Sequence, residues 1–291
     1  MSDVNRVQLI GYLTEDVDVR ELSSGMAVTD LNIQVKSRFT KDDGSEGIST
    51  SFHTVTVWGQ PAKFVGEYSR RGSQIYISGR LKTDSWEDDQ GKQRWKTKVI
   101  ADSFGGIVLL DPRVPLSPIG EASLVSGGLN RAEIIGNVTK DLELRKTPGD
   151  RSVVNFGVAT NRNWKDRDSG EKKEEVEFHN VVLWGRLAED AEKIMKKGSR
   201  VYISGPVSTR SWETPEGEKR YTTEIVAHEA LSLGHPAEDL ASPRGEKTEA
   251  SKDLPAKTAK GKLTNKKEAT EAAEVPEINY ESEIKPEDLP F

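Results

Sequence analysis

Cysteine is absent from the 291 residues. That excludes disulfides, thiolate chemistry and cysteine-based zinc sites, and it is compatible with a reducing compartment. Long apolar runs are missing too: no stretch of about 18 apolar residues occurs, the length a membrane-spanning helix needs. The opening Met1-Ser2-Asp3-Val4-Asn5 has neither a basic n-region nor an apolar h-region, so no secretory signal is expected. Histidine is scarce, at His53, His179, His228 and His235. There is no Walker-type glycine loop, no HExxH and no GxSxG. Carboxylates are plentiful but not clustered at metal spacing on facing strands. No catalytic residue, metal or cofactor is therefore expected, and no membrane partner. An excess of positive charge is lacking as well: 42 Lys and Arg stand against 48 Asp and Glu, a formal −6. Taken whole, that balance argues against nucleic acid, whose partners are usually basic.

Taken by segment, the balance reads differently. Residues 235–267 are rich in Ala, Lys, Glu, Ser, Thr and Pro and almost free of aromatics. Such a stretch buries too little apolar surface to offset the entropy of ordering, so disorder is expected from 235 to 291. Residues 268–291 hold eight acidic residues against Lys285, a net −7, which leaves +1 for residues 1–267. An acidic tail is an interaction device. Its tip, Glu287-Asp288-Leu289-Pro290-Phe291, sets an aromatic ring beside a terminal carboxylate. A hydrophobic pocket with a basic rim on a partner protein would accept that ending. The alternative is a tail that merely solubilises.

The remainder is a tandem repeat. Asn5-Arg6-Val7-Gln8-Leu9-Ile10-Gly11 returns as Asn130-Arg131-Ala132-Glu133-Ile134-Ile135-Gly136, and residues 52–81 match 178–207 at 12 of 30 positions. Self-similarity at this period marks a duplicated domain. Each copy reads as five strands with one short helix after the third. The strands are expected near 6–13, 27–37, 52–58, 73–83 and 94–102, then 131–138, 152–161, 177–184, 199–209 and 220–228. The helices are expected near 62–69 and 187–196. Five strands and a helix in that order describe an OB-fold, a five-stranded Greek-key barrel whose open face binds oligonucleotides or oligosaccharides. The expected class is all-β: a first OB domain over 1–110, a linker over 111–128 marked by Pro112, Pro115 and Pro118, a second OB domain over 129–234, and the tail. Ile107-Val108-Leu109-Leu110 could add a short strand.

Strand parity separates core from surface. In 52–58, Val55 and Val57 suit the interior with His53, leaving Phe52, Thr54, Thr56 and Trp58 outside. The second copy sets Phe178, Asn180, Val182 and Trp184 against His179, Val181 and Leu183. In the fourth strand, Ile75, Ile77 and Leu81 oppose Tyr76, Ser78, Arg80, Lys82 and Trp86, and Tyr202, Arg210 and Trp212 repeat the pattern. Large aromatics among hydroxyls and cations on an outer face suit base stacking, at about 1–3 kcal/mol per base regardless of its identity. The alternative is that they cover the barrel or form a subunit interface. For Tyr76 and Tyr202, and for Trp95 and Tyr221, both readings stand. Phe39 and Trp164 share parity with core residues, so parity alone does not make them surface groups. They stand at a strand end, where register can slip.

These stretches together resemble the bacterial single-stranded DNA-binding protein family. The resemblance rests on Asn130-Arg131 through Gly136, the run ending at Trp164, Glu177 through Gly185, Lys197 through Gly205, Trp212 with Arg220 through Glu224, and the tip 287–291. It implies stacking positions at Phe39, Phe52, Trp58 and Trp86 in the first domain and at Trp164, Phe178, Trp184 and Trp212 in the second. Plausible phosphate contacts are Arg6, Arg131, Arg20, Arg145, Lys82 and Arg210. Two OB domains per chain resemble the smaller branch of the family, in which a homodimer presents four. The family's role implies protection of single-stranded DNA in the cytoplasm, at the bacterial nucleoid and replication fork, and recruitment of replication, repair and recombination proteins through the tip. Asp84 and Ser85 stand where the family commonly has basic residues, so the first domain is expected to bind more weakly. The rival readings are an RNA- or oligosaccharide-binding OB protein and an enzyme subunit such as a primosomal factor.

Overall fold

A computed structural model describes residues 2–40, 44–88, 91–102, 105–111, 128–166, 169–213 and 219–234. The expected tail with its tip, and all of the expected linker but its two end residues, lie outside the described residues. The first repeat contains β1 (Val4–Leu13), β2 (Arg20–Glu21), β3 (Ala27–Thr40), β4 (Glu46–Trp58), α1 (Gln60–Tyr68), β5 (Gln74–Glu87), β6 (Gln93–Ala101) and β7 (Ile107–Asp111). The second contains β8 (Leu129–Val138), β9 (Leu144–Lys146), β10 (Ser152–Lys165), β11 (Lys172–Trp184), α2 (Gly185–Ile194), β12 (Arg200–Gly205), β13 (Val207–Glu213), β14 (Lys219–Val226) and β15 (Glu229–Gly234).

Each repeat closes on itself. β1 pairs with β3 and β5, β3 with β4, β4 with β6 in parallel, and β6 with β5, which returns the ring to β1. β8, β10, β11, β14 and the β13–β12 pair repeat that circuit. The interior is filled by the inward parity: Val7, Leu9, Leu31, Ile33, Val55, Ile75 and Ile77 in one barrel, and Ile134, Phe156, Val158, Val181, Val201, Ile203 and Ile225 in the other. Ala62 and Val65 of α1, and Ala188 and Ala191 of α2, are buried against those cores. The repeated Trp-Gly supplies the strand-to-helix corner, because Gly59 and Gly185 take φ of 69° and 56°, which disfavours a side chain.

Three differences from the expected elements have local causes. The fourth strand of the second barrel, expected whole over 199–209, is divided at Pro206, which has no N–H for a ladder. Its carbonyl still accepts the Val226 N–H at 3.0 Å. β15 was not expected; it pairs with β12 as β7 pairs with β5, so each barrel carries a further strand outside the ring beside the short β2 or β9. The hairpins β3–β4 and β10–β11 also run past the barrel, in thirteen unbroken residue pairs each.

The two barrels share one sheet. β1 and β8 pair antiparallel from Val4↔Ile135 to Ile10↔Leu129. Val7 and Ala132, equivalent in the repeat, face each other at the centre of that register. A pseudo-twofold axis therefore passes between them. The joined sheet reads β7-β5-β1-β8-β12-β15.

The flanks of that axis differ. On one side, the Asp3 carboxylate pairs with Arg200 at 2.7 Å and accepts the Asn161 N–H at 2.7 Å. On the same side, the Lys82 ammonium reaches across to Glu177 at 2.6 Å and to Glu175. The positions equivalent to Asp3 and Arg200 hold Gly128 and Gln74. Those equivalent to Lys82, Glu175 and Glu177 hold Ser208, Ser49 and Ser51. That flank is neutral, with Asn130 donating to Ser51 Oγ at 3.1 Å.

Candidate nucleic-acid interface

The outward parity of β4 and β11 is open at its ends and closed in the middle. Phe52 is 61% exposed and Trp58 40%, while Thr56 between them is buried and donates to Asp30 at 2.6 Å. In β11, Phe178 is exposed, Trp184 half-buried, and Val182 buried. The inward parity behaves as the alternation predicts. His53 and His179 are buried and polar-bonded, His53 to Ser51 Oγ at 2.9 Å and His179 to Thr160 Oγ1 at 2.9 Å. Burial pushes both imidazoles down to about 4, so both are neutral at physiological pH.

Phe39 and Trp164 keep the parity of the core but stand beyond it. The register does not slip. The strands outrun the barrel, and the face that was interior becomes a shelf. Phe39 lies half-buried over Gly47, where a Cβ would come within 2.5 Å of its ring. Trp164 sits under the Arg162 guanidinium, 4.7 Å from its ring centroid. Trp86 stands exposed in β5 opposite Arg94, and Trp212 occupies the matching place in β13 opposite Arg220. Trp95 in β6 and Tyr221 in β14 are also exposed, at 45% and 65%.

Several candidate cations already have carboxylate partners: Arg131 with Glu133 at 3.1 Å, Arg210 with Glu224 at 2.7 Å, Arg20 with Asp30 at 2.8 Å and Arg145 with Glu143 at 3.1 Å. Lys82 is the most engaged. Burial acts to lower its pKa, but the bonds from Glu175 and Glu177 outweigh it and the net shift is upward. Arg6 is exposed in β1, opposite Glu133.

The repeated asparagine has a role that sequence reading did not assign. Asn5 donates to the Leu81 carbonyl and accepts the Leu81 N–H, both at 2.9 Å; Asn130 does the same to Val207 at 2.8 and 2.9 Å. Each amide thus imitates a ladder step and fixes the root of the hairpin that carries Trp86 or Trp212. The asparagine's recurrence at the same place in both copies was the available signal. Between the barrels lies a cleft of about 960 Å³, with Phe52, Trp86 and Trp95 on one wall and Phe178 and Tyr221 on the other. Among the described residues, no group of three or more His, Cys, Asp or Glu could hold a metal ion, and no helix is long and apolar enough to cross a membrane.

This geometry has counterparts. The chain matches the single-strand binding protein family over residues 4–107 and again over 129–233. It is 32% identical over 237 residues to the single-stranded DNA-binding protein of Deinococcus radiodurans, covering 79% of this chain and 76% of that one. It is 32% identical over 247 residues to that of Thermus aquaticus, covering 83% and 88%. The crystal structure of the wild-type Thermus aquaticus protein superposes with a TM-score of 0.62 at 28% identity, over 81% of this chain and 96% of that one. A deletion mutant of the same protein gives 0.63 at 27%, over 84% and 99%. With two matches to one family model, one on each barrel, the chain belongs to the single-strand binding protein family as a member with two OB domains.

Proposed function

We propose that this protein binds single-stranded DNA largely without regard to sequence, protects it, and brings replication, repair and recombination proteins to it. The observation that carries the proposal is the set of exposed rings on both barrels, Phe52, Trp58, Trp86 and Phe178, in a chain of this family. Phe39, Trp164, Trp184 and Trp212 complete the stacking set, and Arg6, Arg131, Lys82 and Arg210 the candidate cations. Every base has a π-face, so stacking gives affinity without selectivity. No chemical step is involved. The domain limits 1–110 and 129–234, with a linker between, belong to the same reading.

The assembly proposed is a homodimer presenting four OB domains. What supports it is the outer face of the shared sheet, where Val108 and Leu110 of β7 and Leu231 and Leu233 of β15 are exposed beside Tyr76 and Tyr202. Recruitment is assigned to the tip Glu287-Asp288-Leu289-Pro290-Phe291, and the place of action to replication forks in the bacterial cytoplasm.

Titration with oligo-dT, read by tryptophan quenching, tests the binding. Saturable quenching that weakens steeply with salt is expected, because protein cations displace counterions from phosphate. RNA of equal length should compete poorly. If oligo-dT does not quench, the proposal fails. Deleting residues 287–291 should abolish partner capture and leave quenching intact.

A further inference from the structure

The proposed stacking positions are distributed over the two barrels separately, which leaves open how one strand passes between them. We propose that single-stranded DNA crosses from one OB domain to the other through the inter-domain cleft, and that Trp95 and Tyr221 are the stacking residues of the crossing. This rests on the single-strand-binding reading above.

Three observations carry it. Trp95 and Tyr221 occupy equivalent places in the fifth strands of the two barrels, and both line the same cleft from opposite domains. Both remain exposed, at 45% and 65%, although each is paired within its strand, Trp95 with Ser85 and Tyr221 with Ser211; neither is held in a core. The cleft is also continuous with the proposed binding face, because Phe52 and Phe178 line it from the two sides.

The charge lining the cleft is compatible with a polyanion. Three carboxylates face it, Asp88, Glu177 and Glu224, and each already has a cation: Arg94 at 2.8 Å, Lys82 at 2.6 Å and Arg210 at 2.7 Å. The walls between the rings are threonines, among them Thr83, Thr97, Thr209 and Thr223. Hydroxyls donate or accept and so tolerate any base edge. At about 960 Å³ the cleft is too large and open to be packing space inside a domain. A nucleic-acid strand already bound on both rims is the occupant whose chemistry matches its rings and hydroxyls.

The test compares W95A/Y221A with the unmodified protein by anisotropy of labelled oligo-dT at two lengths. One length is about 10 nucleotides, within what a single OB fold covers, and the other about 30, which must engage both domains. Affinity for the long oligonucleotide should fall about 10- to 100-fold and for the short one less than about threefold, and W95F/Y221F should restore it. Unchanged long-strand affinity would overturn the crossing. So would an equal loss at both lengths, which would make Trp95 and Tyr221 ordinary parts of each barrel's own surface. W58A/Phe178→Ala serves as control: its binding should fall at both lengths, and if it does not, the stacking reading itself is at fault rather than the crossing. Circular dichroism melts of all variants should coincide, since every substituted ring is surface-exposed.

Discussion

His53 and His179 show how a repeat turns one residue type into two copies of the same pH liability. Each imidazole is held at about 4 by burial, against 6.5 when the chain is unfolded. Above pH 6.5 both states are neutral and no stability depends on them. As pH falls from 6.5 toward 4, only the unfolded chain takes up the protons, so the folded state loses stability. The loss approaches about 3 kcal/mol per histidine. Urea midpoints should therefore decline across that window, and H53Q/H179Q should flatten the decline without changing oligo-dT affinity. Lys82 makes the opposite point, because its surface parity was legible and its partners were not. Nothing in the sequence places Lys82 beside Glu177, which is 95 residues away. We expect Lys82→Met to destabilise the fold by about 3 kcal/mol, since it strands a buried carboxylate. Because Lys82 is a proposed phosphate contact, its loss should also lower the slope of log affinity against log salt by about 1; an unchanged slope would leave Lys82 a structural cation alone.

At the scale of elements, alternation identified the ring strands and both helices because one face of each strand meets a closed core. It failed where that condition ends. Phe39 and Trp164 carry core parity on strand segments that have left the barrel, so the period is intact while its meaning has changed. β15 was missed because Glu229-Ala230-Leu231-Ser232-Leu233 buries just one side chain, Ala230, and leaves its leucines outside. Pro206 divides a strand that periodicity reads as whole. Glycine marks the tightest contact between elements: a Cβ on Gly205 would lie 2.2 Å from the Val226 carbonyl oxygen, and one on Gly79 2.3 Å from that of Ile100. Both neighbours are backbone and cannot yield cheaply. Gly205→Ala should cost about 1–3 kcal/mol in urea unfolding, with Gly79→Ala similar.

On the scale of the whole molecule, the axis at Val7 and Ala132 arranges two barrels as a pair, and the outer face of their common sheet is the surface assigned to a second chain. If that assignment holds, V108K/L231K should halve the mass measured by light scattering while each chain still binds a short oligo-dT. A mass that stays unchanged would place the contact elsewhere. The −6 of the full chain hides this architecture, since residues 268–291 hold −7 and the two-barrel part is close to neutral. Its attraction for phosphate has to come from local placement of cations against rings, and many of the cations are already committed to carboxylates.

The unequal flanks of that axis have a consequence for how such a protein can change. When two identical chains pair about a true dyad, every substitution appears on both sides, so a lysine and its complementary glutamate must both be fitted twice. Fusing the copies removes that obligation. Lys82 could acquire Glu177, and Asp3 could acquire Arg200, while Ser208, Ser51, Gly128 and Gln74 stayed uncharged opposite them. The covalent pair thus distinguishes its own left from its right. Each domain can be tuned as a distinct partner within one reading frame, and exchanging the order of the two domains in the gene would leave those charges paired, because the same two faces would still meet.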